Sequence, residues 1–317
     1  MRSARGSVAA LAAAVLAMTA ACGGGTDSSE PQNSAAPGAS ATRTVQSAKG
    51  PVEVPSDPQK IVAIDFQIPY ILLDLEAKLA GAIDLTAAKD GAPFKELTII
   101  GNDAGELNYE KIAELDPDLV IGADYQEAEY AQLKDRYPTV LVSATGGEPG
   151  WKSQVRAVAD AVNKADKVEA LEKAYQDKVT ELKGKHSAKI PSAKWATLGT
   201  YDGKGWYLYD SVGGPSTALA DLGIPFDEAT TKVADGNVQQ YSIEQLNQLN
   251  GADVLLFDDL GPPVTAEGAA ATLKADPLFT SLTAAKGGKV FDGEFNIIDY
   301  GDAMRVLTTL DEVLGTI

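Results

Sequence analysis

Cysteine and histidine are almost absent from this chain. Its 317 residues include one cysteine, Cys22, and one histidine, His186. A single thiol cannot form an internal disulfide, so a disulfide framework is excluded. The chain also has no HExxH motif and no Cys/His cluster, which argues against nucleophilic catalysis and a resident metal. We interpret His186, at the end of a charged helix, as a solvated surface residue.

Positive charge is scarce as well. The chain has 27 Lys and Arg against 45 Asp and Glu, for a formal net charge of −18. It contains no Lys/Arg run, and because a phosphate backbone requires a basic face, we expect no nucleic acid partner. Beyond residue 21 there are four arginines, at positions 43, 136, 156 and 305. This scarcity bears on the ligand, because arginine is the usual partner of anionic groups.

Long apolar runs are missing beyond the N-terminus. Two arginines precede a short apolar stretch, which predicts a signal peptide over residues 1–21. The stretch ends in Thr-Ala-Ala-Cys at residues 19–22, which resembles a bacterial lipobox with Thr19 in place of the usual Leu. We therefore predict that Cys22 is lipidated. An ordinary cleavage site beside an incidental cysteine is the alternative.

The segment after Cys22 is rich in small and polar residues. Residues 22–50 contain almost no large apolar side chains and cannot bury a core, which predicts a flexible tether. A tether behind a lipidated cysteine would hold a folded domain on the extracytoplasmic face of the cell membrane.

The folded part of the chain contains a repeat. Each half has an apolar strand, then a polar helix cap, a short amphipathic helix and a second apolar strand. At an offset of about 134 residues, the matching segments are 60–64 with 194–198, 108–115 with 242–249, and 118–121 with 253–256. Two similar lobes suit a two-lobed binding protein better than a one-domain enzyme.

Strands and helices alternate in both halves. Strands are predicted at 60–66, 97–101, 119–122 and 139–143, and again at 194–200, 253–257 and 289–291. Residues 205–209 are predicted to form an aromatic strand or a hairpin arm. Short apolar runs of this kind are typical of buried parallel strands, so we predict an α/β fold with a parallel central sheet in each lobe. A helix that opens at Pro69 is predicted to end at Gly81.

One predicted helix is much longer than the others. Residues 165–186 carry an apolar stripe and a charged opposite face, and about twenty residues would span about 30 Å. Its position between the repeats predicts a rigid helix that connects the two lobes. A surface helix of one lobe is the alternative. We place the N-terminal lobe at 51–163, the connecting helix at 164–187 and the C-terminal lobe at 188–317.

Aromatic side chains collect in the loops at predicted strand ends. Ligands of open parallel sheets bind beyond the carboxyl ends of the strands, where aromatic rings supply apolar area. Core packing is the alternative for each ring. The candidate ligand-binding residues are Phe66, Tyr70, Tyr125, Trp151, Tyr201, Trp206, Tyr209, Phe295, Tyr300 and Arg305.

Over residues 50–317 the chain resembles the substrate-binding proteins of iron-siderophore and cobalamin ABC importers. The motifs are Gly-Pro-Val-Glu-Val-Pro (50–55), Asn-Tyr-Glu-Lys-Ile (108–112) with Leu-Asp-Pro-Asp-Leu-Val (115–120), Tyr-Ser-Ile-Glu-Gln-Leu (241–246) with Ala-Asp-Val (252–254), and Asp-Pro-Leu-Phe (276–279) with Lys-Gly-Gly-Lys-Val-Phe (286–291). The resemblance implies two Rossmann-like lobes bridged by one long helix, with a chelate held between them. It also implies that Glu110 and Glu244 dock onto arginines of a permease dimer. The repeat selects the same two residues, and a first-turn acid favoured by the helix dipole is the alternative for each.

These observations predict a monomeric, lipid-anchored solute-binding component of an ABC importer that performs no chemistry. We expect it to capture a ferric siderophore between the lobes, with iron bound only within that complex and no other cofactor. Because Arg305 is the one arginine placed to reach the ligand, a neutral or cationic hydroxamate complex fits better than a citrate or catecholate. Lys89 or Lys204 could still favour an anion. A cobalamin or haem carrier and an enzyme on the same scaffold remain alternatives.

Overall fold

The computed structural model describes residues 41–88, 91–102, 104–143, 150–236, 238–260 and 264–317. The predicted signal peptide, the predicted lipidation site Cys22 and most of the predicted tether lie outside these residues, as does Lys89. The described chain forms one two-stranded and two five-stranded sheets. None of its helices combines the length and the apolar character needed to span a bilayer.

The folded chain begins with a β-hairpin of β1 (Thr42–Ser47) and β2 (Gly50–Pro55). Val45 and Val54 are buried, and the backbone N–H of Ala48 donates to the carbonyl of Leu141 at 2.8 Å. The tether prediction is therefore wrong over residues 42–50. Alternating valines give this segment one face to bury, a pattern that its many small residues obscured.

The first large sheet is entirely parallel, with the spatial order β5–β4–β3–β6–β7. Its strands are β3 (Ile61–Ala63), β4 (Leu79–Ile83), β5 (Thr98–Gly101), β6 (Leu119–Ala123) and β7 (Thr139–Val142). Its helices are α1 (Ile68–Asp74), α2 (Tyr109–Leu115) and α3 (Glu127–Leu133), and a 3₁₀ turn covers Ala92–Glu96. Every residue of β3, β6 and β7 is buried, which explains their continuous apolar sequences.

Strand β4 corrects the prediction of a helix that continues to Gly81. Helix α1 ends at Asp74, and Glu76 takes a left-handed conformation with φ of 53° that turns the chain towards the strand. Gly81 lies inside β4, where an added Cβ would come within 2.7 Å of Leu115 Cδ1. This glycine therefore marks a close approach of strand and helix, not a helix end.

Two helices follow the first sheet, α4 (Gly150–Ala161) and α5 (Ala165–Lys185). Helix α5 has 21 residues and spans about 30 Å. Its buried side chains, Val168, Tyr175, Val179 and Leu182, form the apolar stripe that the sequence predicted.

The second large sheet is mixed, with the order β10–β9–β8–β11–β12. Its strands are β8 (Trp195–Gly199), β9 (Gly205–Tyr209), β10 (Val238–Ser242), β11 (Val254–Asp258) and β12 (Val290–Gly293). Its helices are α6 (Ser216–Leu222), α7 (Ala269–Ala275), α8 (Pro277–Thr280), α9 (Thr283–Lys286) and α10 (Tyr300–Thr316), with 3₁₀ turns at Ile190–Ser192, Thr230–Lys232 and Ile243–Gly251. Strand β9 runs antiparallel to β8 and β10, so this sheet departs from the predicted parallel sheet at the segment for which a hairpin arm was the alternative. The link between β8 and β9 is too short for a parallel crossover.

The repeat in the sequence is a repeat in the structure. Strand β3 pairs with β6, and β8 pairs with β11 in the equivalent register. In the first half, the carboxylate of Asp118 accepts the backbone N–H of Lys60 at 3.0 Å. In the second half, Asp253 accepts that of Lys194 at 2.9 Å. Each half thus connects its two central strands through an aspartate at the equivalent position.

Helix α5 packs against α4 from the first half and against α6 and α10 from the second. A polar cluster lies at this junction: the Lys152 ammonium and the Tyr175 hydroxyl each reach Asp221 Oδ2 at 2.8 Å. Lys152 is buried and lies over the Tyr175 ring at 4.9 Å. The three helices α4, α5 and α6 are therefore joined through one carboxylate.

A second polar contact joins the halves where α10 begins. Asp299 caps this helix by accepting the backbone N–H of Asp302 at 2.8 Å. Asp74, at the end of α1, accepts the backbone N–H groups of Tyr300 and Gly301. Burial, reinforced by the nearby Asp302, raises the pKa of the Asp299 carboxyl to about 7.

Candidate ligand-binding site

The carboxyl edge of the first sheet brings together Asp65, after β3, and Tyr125, after β6. Asp65 is buried, and its Oδ1 accepts the backbone N–H groups of Gln67 and Ile68 at 2.7 and 3.0 Å, where α1 begins. The Tyr125 hydroxyl donates to Asp65 Oδ2 at 2.5 Å, although 60% of the tyrosine is exposed. The Tyr125 ring is therefore held at the surface by a buried carboxylate.

Gln126 fixes the loop that carries Tyr125. Its Nε2 donates to the carbonyl of Ile64 at 2.6 Å, and its Oε1 accepts the backbone N–H of Ala123 at 2.9 Å. At Gly122 an added Cβ would come within 2.8 Å of this Oε1. The glycine leaves room for the glutamine, which ties the ends of β3 and β6 together.

Phe66 and Tyr70 both follow β3 in the chain, but they contact different neighbours. Phe66 is 39% exposed, and its ring packs on Gly105, where a Cβ would come within 3.1 Å of it. Tyr70 is half-buried and makes an edge-to-face contact with Phe94 at 4.7 Å. Phe66 thus presents an apolar surface next to Asp65, whereas Tyr70 mainly packs inward.

The second sheet repeats the pairing of an aspartate with a tyrosine. Asp258, the last residue of β11, is buried and accepts the Tyr209 hydroxyl at 2.5 Å and the backbone N–H of Phe295 at 2.7 Å. Burial raises the pKa of Tyr209 well above its ordinary value, and the charge of Asp258 adds to this effect. Burial also raises the pKa of Asp258. Tyr209 is half-buried, so this pair is less accessible than that of Tyr125.

Tyr201 lies in the loop that follows β8. It is 40% exposed, and its ring packs on that of Tyr207 at 4.6 Å. Two further exposed apolar residues of this half, Val212 and Val264, also lie in loops. The loops of the second sheet therefore present apolar surface that the sequence alone did not assign to a site.

Arg305 forms ion pairs and a hydrogen bond with groups of its own chain. Its Nη2 contacts Asp302 Oδ1 at 2.7 Å, its Nη1 donates to the carbonyl of Glu294, and the Glu294 carboxylate lies 3.9 Å from Nη1. Two carboxylates and a carbonyl thus surround the one arginine that was predicted to reach the ligand. Its charge is offset by partners within the chain.

Four of the predicted site residues belong to the core, which removes them from the ligand-contacting set: Trp151, Trp206, Phe295 and Tyr300. Trp206 stacks on Tyr241 at 4.5 Å and donates its indole N–H to the carbonyl of Ser242. Trp151 packs edge-to-face on Tyr300 at 5.0 Å. Trp151 and Tyr300 lie in the first turns of helices α4 and α10, and Trp206 lies within β9, so tertiary packing places these rings in the core.

His186 also corrects a prediction. It is buried, not solvated, and its Nε2 lies 2.6 Å from Asp311 Oδ1 on α10. Lys185 contacts the same carboxylate, and its hydrogen bond is the first cause of the lowered pKa of Asp311. The histidine thus fastens the end of α5 to α10.

Four of the predicted site residues lie at or just after strand ends: Phe66, Tyr125, Tyr201 and Tyr209. Their contact with a ligand stays a prediction. Sequence reasoning missed Asp65 and Asp258, the carboxylates that hold two of these tyrosines. A signal was present, because each aspartate ends an apolar run: Asp65 lies two residues after β3, and Asp258 is the last residue of β11. A buried acid at a strand end requires donors, and the tyrosine hydroxyls supply them.

Glu110 and Glu244 occupy equivalent places in the two halves. Each lies in the first turn of its helix, α2 for Glu110 and the 3₁₀ helix Ile243–Gly251 for Glu244. Asn108 caps α2 by accepting the backbone N–H of Lys111, as predicted. Both glutamates are exposed, and neither forms an ion pair with a described residue. Hydrogen bonding to Ser242 lowers the pKa of Glu244.

Two surface concavities are lined by other residues, one beside the start of β7 near Tyr130 and Pro138, the other beside β12 near Lys274 and Phe279. Within the described part of the chain, no group of three His, Cys, Asp or Glu side chains is arranged to hold a metal ion.

Two α/β halves, each built on a five-stranded sheet, are the architecture of a two-lobed binding protein. The periplasmic binding protein family matches residues 61–296, and the chain belongs to this family. This confirms the predicted resemblance, the α/β fold class and the prediction of a binding protein instead of an enzyme.

Among the relatives is the probable siderophore-binding lipoprotein YfiY of Bacillus subtilis, 35% identical over 169 residues. That match spans only half of this chain and half of YfiY. The iron(3+)-hydroxamate-binding protein YxeB of the same organism is 26% identical, over 85% of this chain and 83% of its own length. The structure of Staphylococcus aureus SirA complexed with staphyloferrin B superimposes with a TM-score of 0.72 at 22% identity, covering 86% of this chain and 99% of SirA.

Proposed function

We propose that this protein is the solute-binding component of an ABC importer and that it captures a ferric siderophore at the carboxyl edges of its two sheets. Membership of the periplasmic binding protein family supports the binding role. The names of YfiY and YxeB support an iron chelate as the ligand. The exposed rings of Phe66, Tyr125 and Tyr201 supply apolar contact area for such a guest.

The ligand class that we propose is a neutral or cationic hydroxamate complex. The relatives do not decide this point, since YxeB is named for a hydroxamate and SirA was solved with staphyloferrin B. The observation that carries the proposal is the engagement of Arg305 by Asp302 and Glu294. With that arginine neutralised and buried carboxylates behind the tyrosines, the edges favour a guest without excess negative charge.

We further propose that Cys22 carries a lipid and holds the protein as a monomer on the extracytoplasmic face of the cell membrane. The lipobox-like sequence at residues 19–22 supports this anchoring. YfiY is likewise named a lipoprotein. Glu110 and Glu244 would then be free to contact arginines of a permease dimer.

Calorimetric titration of the folded domain with ferrioxamine B and with ferric citrate tests the ligand class. We expect ferrioxamine B to bind at least about tenfold more tightly, a difference of about 1.4 kcal/mol. The metal-free hydroxamate serves as the control and should bind more weakly. Tighter binding of ferric citrate would contradict the ligand class, and failure to bind any ferric chelate would contradict the function.

A further inference from the structure

Tyr125 differs from the other exposed tyrosines because its hydroxyl proton is already engaged. The hydroxyl donates to Asp65 Oδ2 at 2.5 Å. Tyr109 and Tyr201 are also exposed, but in the described part of the chain their hydroxyls donate to no carboxylate. Among the exposed tyrosines of the described residues, Tyr125 alone therefore has a hydroxyl whose direction is fixed by a carboxylate.

Asp65 determines which partner in this pair carries the proton. An ionised carboxylate can only accept hydrogen bonds, and its Oδ1 already accepts two backbone N–H groups. The phenol is therefore the donor. Its oxygen keeps lone pairs, so Tyr125 meets a ligand only as a hydrogen-bond acceptor.

The charge around the Tyr125 hydroxyl is negative. Burial of the hydroxyl is the first cause that raises the pKa of Tyr125, followed by Asp65 and the charges of Glu129 and Asp124. The phenol thus stays neutral at physiological pH. The exposed ring of Phe66, directly after Asp65, adds an apolar surface. An acceptor in negative surroundings beside an apolar ring suits an ammonium group on an alkyl chain.

We propose that Tyr125 determines specificity by accepting a hydrogen bond from an alkylammonium group of the bound chelate, with Asp65 as the positioning residue that orients its hydroxyl. This inference rests on the proposed function and deepens it, because it makes the guest cationic. An anionic group in the same place would meet a lone pair and carboxylates, with no free proton to bind.

The test compares two chelates that differ at one group: ferrioxamine B, which has a terminal ammonium, and its N-acetylated derivative, which does not. Calorimetry on Tyr125→Phe should show about a tenfold loss of affinity for ferrioxamine B, the usual effect of losing a hydrogen bond to a charged group. The affinity for the acetylated chelate should change less than about twofold, because the ring remains.

Three matched variants control this comparison. Tyr109→Phe, which removes an exposed hydroxyl at the start of α2 that binds no carboxylate of the described residues, should leave both affinities unchanged. Tyr201→Phe should change both by the same factor. Asp65→Asn should remove the preference for ferrioxamine B, and the ionisation of Tyr125, followed by its ultraviolet difference spectrum, should move towards pH 10. Circular dichroism confirms that each variant is folded.

The outcomes separate this inference from the proposed function. Equal losses for both chelates in Tyr125→Phe, or no loss for either, would overturn the role of Tyr125 while siderophore binding stands. If the protein binds other ferric chelates but neither ferrioxamine B nor its N-acetylated derivative, the role of Tyr125 would also be overturned while siderophore binding stands. Failure of the unmodified protein to bind any ferric chelate would overturn both.

Discussion

Asp299 is a buried carboxyl group between two other acids, and its position gives the protein a pH-dependent stability. Asp302 lies one helical turn away, and Asp74 approaches from α1. The nearby Arg305 acts in the opposite direction on the pKa of Asp299, but as the smallest of its causes. Desolvation therefore dominates, and the folded chain holds a proton that the unfolded chain would release.

Replacing Asp299 by asparagine should stabilise the protein increasingly as the pH rises above 3.8, with the full gain reached above about pH 7. The pKa of Asp299 is about 7 when folded and has an ordinary value of 3.8, so its contribution to stability falls as the pH rises between these values. Asn keeps an acceptor for the Asp302 N–H. Urea denaturation of Asp299→Asn should show a gain of about 2 kcal/mol at pH 8 and none at pH 4.

Asp299→Ala is the control for this prediction. It removes the helix cap together with the charge. Its gain in the free energy of unfolding at pH 8 should therefore be smaller by about 1 kcal/mol, and it should lower the free energy of unfolding at pH 4. An equal gain for Asp299→Asn at both pH values would show that desolvation of this carboxyl is not the cause.

At the scale of elements, the junction of α4, α5 and α6 depends on a charged pair. Lys152 is almost fully buried and its ammonium is paired with Asp221, which also accepts the Tyr175 hydroxyl. Removing one charge of a buried pair leaves the other without compensation, which costs more than the pair contributes. The junction should therefore be more sensitive to single changes than to a matched double change.

Asp221→Asn should lower the free energy of unfolding by about 3 kcal/mol, because the buried Lys152 ammonium loses its counter-ion. Lys152→Met added to Asp221→Asn should restore a large part of that loss, since Met fills the same space without charge. Chemical denaturation of the two single variants and the double variant forms a double-mutant cycle. Additive losses would show that the pair is not coupled.

Much of the element order was predictable, and the exceptions have physical causes. The apolar runs at β3, β6, β8 and β11 and the cap at Asn108 follow local rules, and so does the long helix α5. Strand β4 was missed because Gly81 is required by packing against Leu115, a contact between distant residues. The burial of Trp206 and Tyr300 likewise depends on which side of a strand or helix faces the core, and that orientation is decided by tertiary packing.

On the scale of the whole molecule, the repeat places one exposed glutamate at a helix start in each half. Glu110 and Glu244 are remote in sequence but equivalent in structure. Neither contributes to the Asp65–Tyr125 pair or the Asp258–Tyr209 pair. Docking and ligand capture should therefore be separable by mutation.

The double variant Glu110→Lys with Glu244→Lys should abolish siderophore-dependent growth while leaving the affinity for ferrioxamine B unchanged. Two lysines would repel the arginines expected on the permease. Growth under iron limitation and calorimetry provide the two measurements. Glu114→Lys with Glu312→Lys changes the net charge equally at two other exposed sites and should preserve growth. A parallel loss of affinity would place the glutamates in the ligand site.

The antiparallel strand β9 breaks the symmetry that the repeat would otherwise impose. The edge of the first sheet carries the exposed hydroxyl-bonded ring of Tyr125. The edge of the second carries the half-buried Tyr209, which lies on the antiparallel strand β9. A ligand that contacts both edges therefore binds two chemically different surfaces. An elongated chelate with a distinct head and tail should therefore settle in a single orientation and be handed to the transporter the same way round each time.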